Sequence, residues 1–516
     1  MRRGLQPSSG LALPLWLAAA AGVGIAFLLA AGSGLQATGF PLDDAWIHQS
    51  YARNLATLGQ WALVPGQPSA GSTSPLWSLL LSLGYFLGVP YPGWTYGLGI
   101  LASGLAGWTA ARLCRTMFPT RGWLVWLAGL GCFLEWHMAW AAVSGMETSL
   151  FTWLALLAVY LWLVADRQPP ASANRWAWVG LVGGLLVLTR PEGLLLVALI
   201  GLATGWQLRR TPRRWISAWL VMAVGLALTM LPYLLFHYAT GGLPLPNTFY
   251  AKQQEYRALL ELYPVWQRWL TMLGTPLVGA QVLLVPGFVY GLVRCCSASE
   301  SLSARRGMVL LGSWFLAHLT LYALRLPVVY QHGRYEMPVI PALILVGVTG
   351  TAQLLEQIAQ PRLANLVKPA TLAAGGLLGL AFLVIGAQAY AADVGFIQGE
   401  MVATARWLDE QTPPGSLIAV HDIGAVSYFT RHPLLDLAGL VSPQVIPFMT
   451  DPVQLLDYMQ TQGAAYAAFF PDWSSAYRQL AADRRLEPVN TTGYPWTLDQ
   501  GRANLTVYRL KAGSFR

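Results

Sequence analysis

"TSPLWSLLLSLGYFLG" occupies Thr73–Gly88, and whether it crosses a membrane decides the topology of everything after it. The stretch is apolar, but Pro75 stands near its start. Its length is a turn or two short of the about 20 residues a spanning helix needs. The rest of the chain makes a membrane its natural solvent. Of 516 residues, 55% are hydrophobic and only 11% charged, against about 25% charged in soluble proteins. Eleven other segments read as spans: 11–31, 93–111, 122–141, 147–165, 175–189, 193–208, 215–238, 270–293, 307–325, 335–355 and 370–391. Charge settles the ambiguous one. If 73–88 lies along the outer interface, sixteen basic residues fall inside, among them Arg2, Arg3, Arg112, Arg121, Arg167, Arg209, Arg305 and Lys368. Seven stay outside before residue 393: Arg53, Arg190, Lys252, Arg257, Arg268, Arg325 and Arg334. That obeys the positive-inside rule; a crossing at 73–88 reverses it. The apolar core of Leu11–Ala31 exceeds the 7–15 residues of a signal peptide, so it reads as a retained first helix.

The expected fold is a polytopic α-helical membrane domain over residues 1–392. A carboxy-terminal α/β domain over 393–516 follows. The tail has no spanning segment, and its 12 acidic and 9 basic residues give it a net charge of −3. Ser416–Val420, Ala464–Phe470 and Leu505–Leu510 read as strands. Glu400–Gln411 and Asp451–Gly463 read as amphipathic helices. An inside start and eleven crossings place this domain, and the polar loops, outside the cell membrane. The net charge of +9 is spread over small inter-helix clusters. With no basic stripe interleaved with aromatics, nucleic acid is not an expected partner. Cys114, Cys132, Cys295 and Cys296 show neither a disulfide framework nor zinc spacing.

The loops assigned outside carry the polar chemistry. "PLDDAWIHQSYARN" (Pro41–Asn54) follows the first span directly. Ile47, Tyr51, Leu55 and Leu58 share one side of a helix, which suggests an amphipathic helix on the interface. Asp43 suits its N-cap; Asp44 beside it is more than a cap needs. Asp44 and His48 form an i, i+4 pair. Glu147 in "SGMETSLF" opens a span, where an acid suits a helix N-terminus. Glu135 and His137 are ionisable groups within a span, which usually face a cavity or a partner. "LTRPEGLLL" brings Arg190 and Glu192 to a tight turn. "GGLPLPNTFYAKQQ" is stiffened by Pro244 and Pro246 and carries Asn247, Tyr250 and Lys252. "YQHGRYEMPVIP" adds His332, Arg334 and Glu336. Several cations converging on an acidic pair suggest a site for a phosphate and a hydroxyl.

In this order, these motifs and "DIGAVSYF…PLLDLAGLVSP" resemble the bacterial GT-C membrane glycosyltransferases, including relatives of the terminal arabinofuranosyltransferases of cell-wall polysaccharides. The resemblance runs from about Phe40 to Pro443. It implies a GT-C fold with interfacial helices in a large first outer loop and a polyprenyl-phosphate sugar donor. It also implies a catalytic base in that loop, matched by Asp43 or Asp44. The acceptor is a glycan, a lipid or a protein. A divalent metal on the acidic pair is left open, since two carboxylates supply only part of a shell of six oxygens.

The chemistry needs a general base for the acceptor hydroxyl, with Asp43 preferred and Asp44 second. It needs preorganised cations for the leaving phosphate, for which Arg190, Lys252, His332 and Arg334 are candidates. His48, Glu147, Glu192, Asn247 and Tyr250 are candidate substrate contacts. Other readings are a GT-C transfer of mannose or aminoarabinose, a lipid-linked-sugar flippase, and a glycan-binding protein without catalysis. A transporter is expected to carry charges near the midplane or paired broken helices; here they cluster at one end.

Overall fold

Buried acids, glycines and prolines interrupt several of the apolar segments. The computed structural model describes residues 12–35, 39–69, 71–165, 173–241, 247–295 and 301–511. Arg2, Arg3, Arg167, Pro244, Pro246 and Cys296 lie outside these. Among the described residues, six helices are long and apolar enough to cross a membrane: Leu13–Gly32, Thr148–Ala165, Pro212–Thr240, Leu302–Arg325, Tyr330–Glu356 and Pro361–Gln411. Two bent pairs raise the number to eight. One pair, Gly122–Leu134 and Trp136–Ala142, bends by 58° where Glu135 leaves the helix and accepts the Met138 amide at 3.1 Å. The other, Val265–Leu277 and Ala280–Cys295, bends by 108° at Gly279, whose φ of 146° suits glycine. The expected eleven spans are not reached on these criteria. Arg175–Thr189 and Gly193–Leu208 are apolar but short. Tyr91–Met117 is long enough, but glycine, threonine and aromatic residues dilute its hydropathy.

Helix α1 (Asp43–Leu58) departs from the expected amphipathic helix. Its polar residues are the buried ones: His48, Gln49, Ser50 and Asn54 are all enclosed, while Leu58 is half exposed. Each finds a partner, as burial demands. Gln49 donates to Thr95 at 2.8 Å and Ser50 meets Ser427 at 2.8 Å. Asn54 donates to the Ala62 and Leu63 carbonyls. Leu42 takes the N-cap position with no side-chain bond, so Asp43 does not cap its own helix. Helix α2 (Pro75–Phe86) has 12 residues, about 18 Å at 1.5 Å per residue. That is too short for a hydrocarbon core of about 30 Å. It packs on α1 and on the helices Tyr91–Met117 and Ala173–Thr189.

Helix α3 (Asn247–Glu255) follows the long helix Pro212–Gly241. The long α4 (Pro361–Ile397) runs on through one π-helical turn, Gln398–Val402, into helix Ala403–Gln411. A continuous helix therefore joins the bundle to the carboxy-terminal part. Glu400, fully buried in that turn, accepts from Thr492, Thr497, Asn504 and the Leu505 amide.

That part is built on a five-stranded sheet: β1 (Ile418–Val420), β2 (Leu434–Asp436), β3 (Tyr466–Phe469), β4 (Leu486–Thr491) and β5 (Thr506–Leu510), in the order β2-β1-β3-β5-β4. The first three strands are parallel; β5 is antiparallel to β3 and β4. Three strands and both helices foreseen in the tail are present; β2 and β4 were not anticipated. Helix α5 (Ile423–Phe429) links β1 to β2. One sheet face closes its own core with Phe469, Leu455 and Tyr508. The other shares a core with the bundle, where Ile418, Ile423 and Val507 join Trp46, Tyr96 and Tyr390.

Candidate active site

Three connecting segments bring cations to one place, and each turn has a local cause. The helix Ala173–Thr189 stops at Thr189 because Pro191 cannot continue it. The Arg190 carbonyl then accepts the Gly193 amide at 2.9 Å, closing a tight turn. Glu147 follows Gly145, whose φ is 80° and whose missing side chain makes room for Phe40. The third segment is the most unusual. Gln331 and His332 are the only non-glycine residues with positive φ among the described residues, and Gly333 continues the run. Such backbone costs about 1–3 kcal/mol per residue and persists only where the surroundings hold it. Here it turns Arg334 and Tyr335 inward.

The result is a cavity of about 460 Å³ whose lining includes Asp44, Glu147, Arg190, Glu192, Thr248, Lys252, Arg334 and Tyr335 together with the apolar Leu194, Leu195, Ala198, Phe249 and Leu321. Arg334 donates to Asp44 at 2.5 Å, and the Lys252 Nζ lies 4.0 Å from the same oxygen. Both also donate to the Tyr335 hydroxyl, at 3.0 and 2.7 Å. Arg190 sits 2.6 Å from Glu192 and 3.4 Å from Glu147. His48 closes the network at 3.4 Å from Glu147 and 3.1 Å from Ser78. Arg190, Arg334 and Lys252 surround the Tyr335 ring at 4.9, 4.9 and 5.4 Å, a cation–π arrangement. Arg334 Nε and Nη1, Asn247 Oδ1 and Thr248 Oγ1 are buried without a hydrogen-bond partner among the described residues. Buried polar groups are normally paired; Arg334 Nε and Nη1 and Thr248 Oγ1 are donors that suit an anionic ligand, while Asn247 Oδ1, an acceptor, suits a hydroxyl.

Electrostatics separates the two aspartates. Burial alone raises the Asp44 carboxyl, but Arg334 and Lys252 outweigh it and hold its pKa well below the usual range. Burial likewise works against Glu147, yet His48 and Arg190 keep it ionised at about 2. Asp43 goes the other way. Burial, with Asp422 nearby, raises it from 3.8 to about 7.

Asp43 was the preferred base from sequence, and its carboxylate faces elsewhere. Its oxygens accept the Gly424 and Ala425 amides at 2.7 and 2.8 Å, so it caps α5 of the carboxy-terminal domain. The two carboxylates thus diverge and have separate partners, and as a pair they do not fit a metal ion. Among the described residues no group of three or more His, Cys, Asp or Glu side chains is arranged to hold one. His332 also stands apart. It pairs with Asp393 at 2.7 Å between the rings of Trp136 and Trp140, outside the cavity lining. It holds the strained turn. Asn247 is buried beside the cavity, and Tyr250 lies against Phe249 without lining it. Tyr335 and Tyr322 were not singled out from sequence. Tyr322 donates to Glu192 at 2.5 Å. Only the adjacency of Tyr335 to Arg334 hinted at its place.

Known structures share this architecture. ArnT from Cupriavidus metallidurans, bound to undecaprenyl phosphate, superposes with a TM-score of 0.61 over 96% of this chain and 97% of its own, at 14% identity. The chain has the GT-C fold. The Archaeoglobus fulgidus oligosaccharyltransferase superposes at 0.59, with 12% identity over 90% of this chain and 70% of its own. The mycobacterial arabinofuranosyltransferase AftD gives 0.52 at 18% identity; this chain spans 40% of its length. At such identities the likeness establishes the fold and not the reaction. Residues 387–508 match a family model described as a domain of unknown function, DUF8728. No curated protein matches the sequence.

Proposed function

We propose that the chain is a membrane glycosyltransferase taking its sugar from a polyprenyl-phosphate donor. The observation that carries this is the cavity in which Asp44 meets Arg334 and Lys252 and whose lining also includes Leu194, Leu195 and Leu321. The phosphate would sit on Arg334, Lys252 and Arg190, and the lipid along Leu194, Leu195 and Leu321. The undecaprenyl phosphate held by ArnT supports a ligand of this class. Asp44 is then the base. The acceptor hydroxyl oxygen attacks the anomeric carbon as its proton passes to Asp44. The bond from that carbon to the phosphate oxygen breaks, and the cations take up the charge on the departing lipid phosphate. One displacement inverts the anomeric centre. A bound phosphate also draws Arg334 and Lys252 away from Asp44, which raises the basicity of Asp44 when the donor is present.

The ordered motifs support the glycosyltransferase class without selecting one sugar; arabinofuranose is the sugar proposed, with a cell-envelope glycan or glycolipid as acceptor. The distribution of basic residues favours an extracytoplasmic site. The test is transfer of labelled sugar from a polyprenyl-phosphate donor by the reconstituted protein. Loss of general-base catalysis is about 10²–10⁴-fold, and that is expected for Asp44→Asn. Full activity in Asp44→Asn removes this mechanism.

A further inference from the structure

Beyond the donor cavity, a second cluster of polar and aromatic side chains joins α3 to the carboxy-terminal part. Its centre is His421, at the end of β1. Its ring lies 4.9 Å from Trp473 and 5.0 Å from Tyr477. Its Nδ1 is 3.3 Å from Asp422, and its Nε2 is 3.9 Å from Glu255 at the end of α3. The indole of Trp473 donates to Glu255, and its ring is 40% exposed. Both carboxylates reach solvent, each side chain 21% exposed. Tyr477 is 3% exposed, and its hydroxyl has no partner among the described residues although Asp422, Glu255 and Asp436 are the charges around it. Asp436 is committed elsewhere, accepting the Ala438, Val441 and Ser442 amides.

The chemistry of the cluster restricts its ligand. The His421 ring, raised to about 9, lies between two partly exposed carboxylates, which favours a neutral ligand over a phosphate. The carboxylates accept from hydroxyl groups. Tyr477 is a donor left over for a ligand oxygen. The exposed indole is a flat apolar wall, and sites of this kind fix orientation with a few polar groups. A neutral polyol with one apolar face meets all four demands. The position matters as well. Glu255 is three residues after Lys252 on α3, about 4.5 Å along the same side of the helix, and Lys252 faces the donor cavity. Asp422 lies close enough to act on Asp43, the neighbour of Asp44. The cluster therefore lies beside Lys252 and Asp43.

We infer that this cluster is the acceptor-glycan subsite, with Trp473 under the sugar ring, Glu255 and Asp422 accepting its hydroxyls, and Tyr477 donating to it. The assignment rests on the glycosyltransferase reading for its place in the reaction. The test uses the full chain in detergent. Methyl α-D-arabinofuranoside, methyl α-D-mannopyranoside and methylammonium are titrated by saturation-transfer NMR, with undecaprenyl phosphate binding measured in parallel. At least one glycoside is expected to saturate in the millimolar range. Trp473→Ala, Glu255→Gln and Tyr477→Phe are expected to weaken it tenfold or more. Undecaprenyl phosphate should bind Trp473→Ala as it binds the wild type, which shows that the variant is folded. Wild type that saturates with no glycoside, variants that bind as wild type, or a preference for methylammonium overturns the subsite. Glycoside binding without undecaprenyl phosphate binding keeps the subsite and removes the donor reading instead.

Discussion

Replacing Gly424 by alanine tests the contact between α1 and the carboxy-terminal domain. A Cβ at this position stands 2.0 Å from the Asp43 carbonyl oxygen and 2.6 Å from its Oδ2. Close carbon–oxygen contacts lie near about 3.3 Å, so α5 has to retreat by roughly an ångström. The Asp43 bonds to the Gly424 and Ala425 amides start at 2.7 and 2.8 Å. A retreat of that size takes both beyond the hydrogen-bond range of about 3.2 Å. Bonds to a charged group contribute about 1.5–3 kcal/mol each, so the expected cost is about 3–6 kcal/mol, less whatever water restores. The assay is thermal unfolding at one scan rate, alongside transfer activity. The control is Gly376→Ala, where nothing lies within 4 Å. Expected are a clear fall in unfolding temperature and in transfer for Gly424→Ala, and neither for the control. An alanine variant as stable and active as wild type refutes the contact as a structural latch.

The pH dependence of stability has a definite sign. Asp43 is raised to about 7 and His421, despite burial, to about 9 by Asp422. A raised folded pKa stabilises fully below the unfolded value and is lost as pH rises through the folded one. Unfolding temperature should therefore fall from about pH 4 to 7 through Asp43 and from about 6.5 to 9 through His421, and Asp43→Asn should flatten the part between about 4 and 7; an unchanged slope there in that variant contradicts the assignment. Arg334→Gln removes at least one charge-assisted bond, worth about 1.5–3 kcal/mol, so undecaprenyl phosphate affinity should drop roughly 10–150-fold. A drop under twofold counts against the phosphate site. His332→Ala and Asp393→Asn should weaken that affinity equally, because both loosen the same turn. A loss confined to His332→Ala means that the imidazole touches phosphate directly.

Much of the site was legible because loops between apolar helices have few reasons to carry charge. Arg190, Glu192, Glu147, Lys252 and Arg334 stood out on that ground, and the fold brings them around one cavity. Residues 73–88 were legible from length. What misled was periodicity. The Ile47–Leu58 stripe pointed to an interface helix, but a helix enclosed on nearly all sides buries its polar residues in specific hydrogen bonds, and spacing carries no record of them. Asp43 misled for the same reason, since its partners lie in α5. His332 read as a cation among cations; the left-handed backbone that makes it a brace is invisible in composition. Eleven spans were expected, and six helices, or eight with the two bent pairs, meet length and hydropathy criteria among the described residues; short apolar helices such as Gly193–Leu208 are where a hydropathy reading and a length criterion part.

The Asp43–Gly424 contact joins residues 381 apart in the chain. During synthesis at about 5–20 residues per second, the first acid waits roughly 20–75 s for its partner. Until then α1, with His48, Gln49, Ser50 and Asn54 to bury, lacks this cover, and Asp44 has no fixed direction. The bundle can be inserted long before it can do chemistry. Completion of the last quarter of the chain thus works as a timer, and a truncated product is a membrane protein with an unfinished site rather than an active fragment.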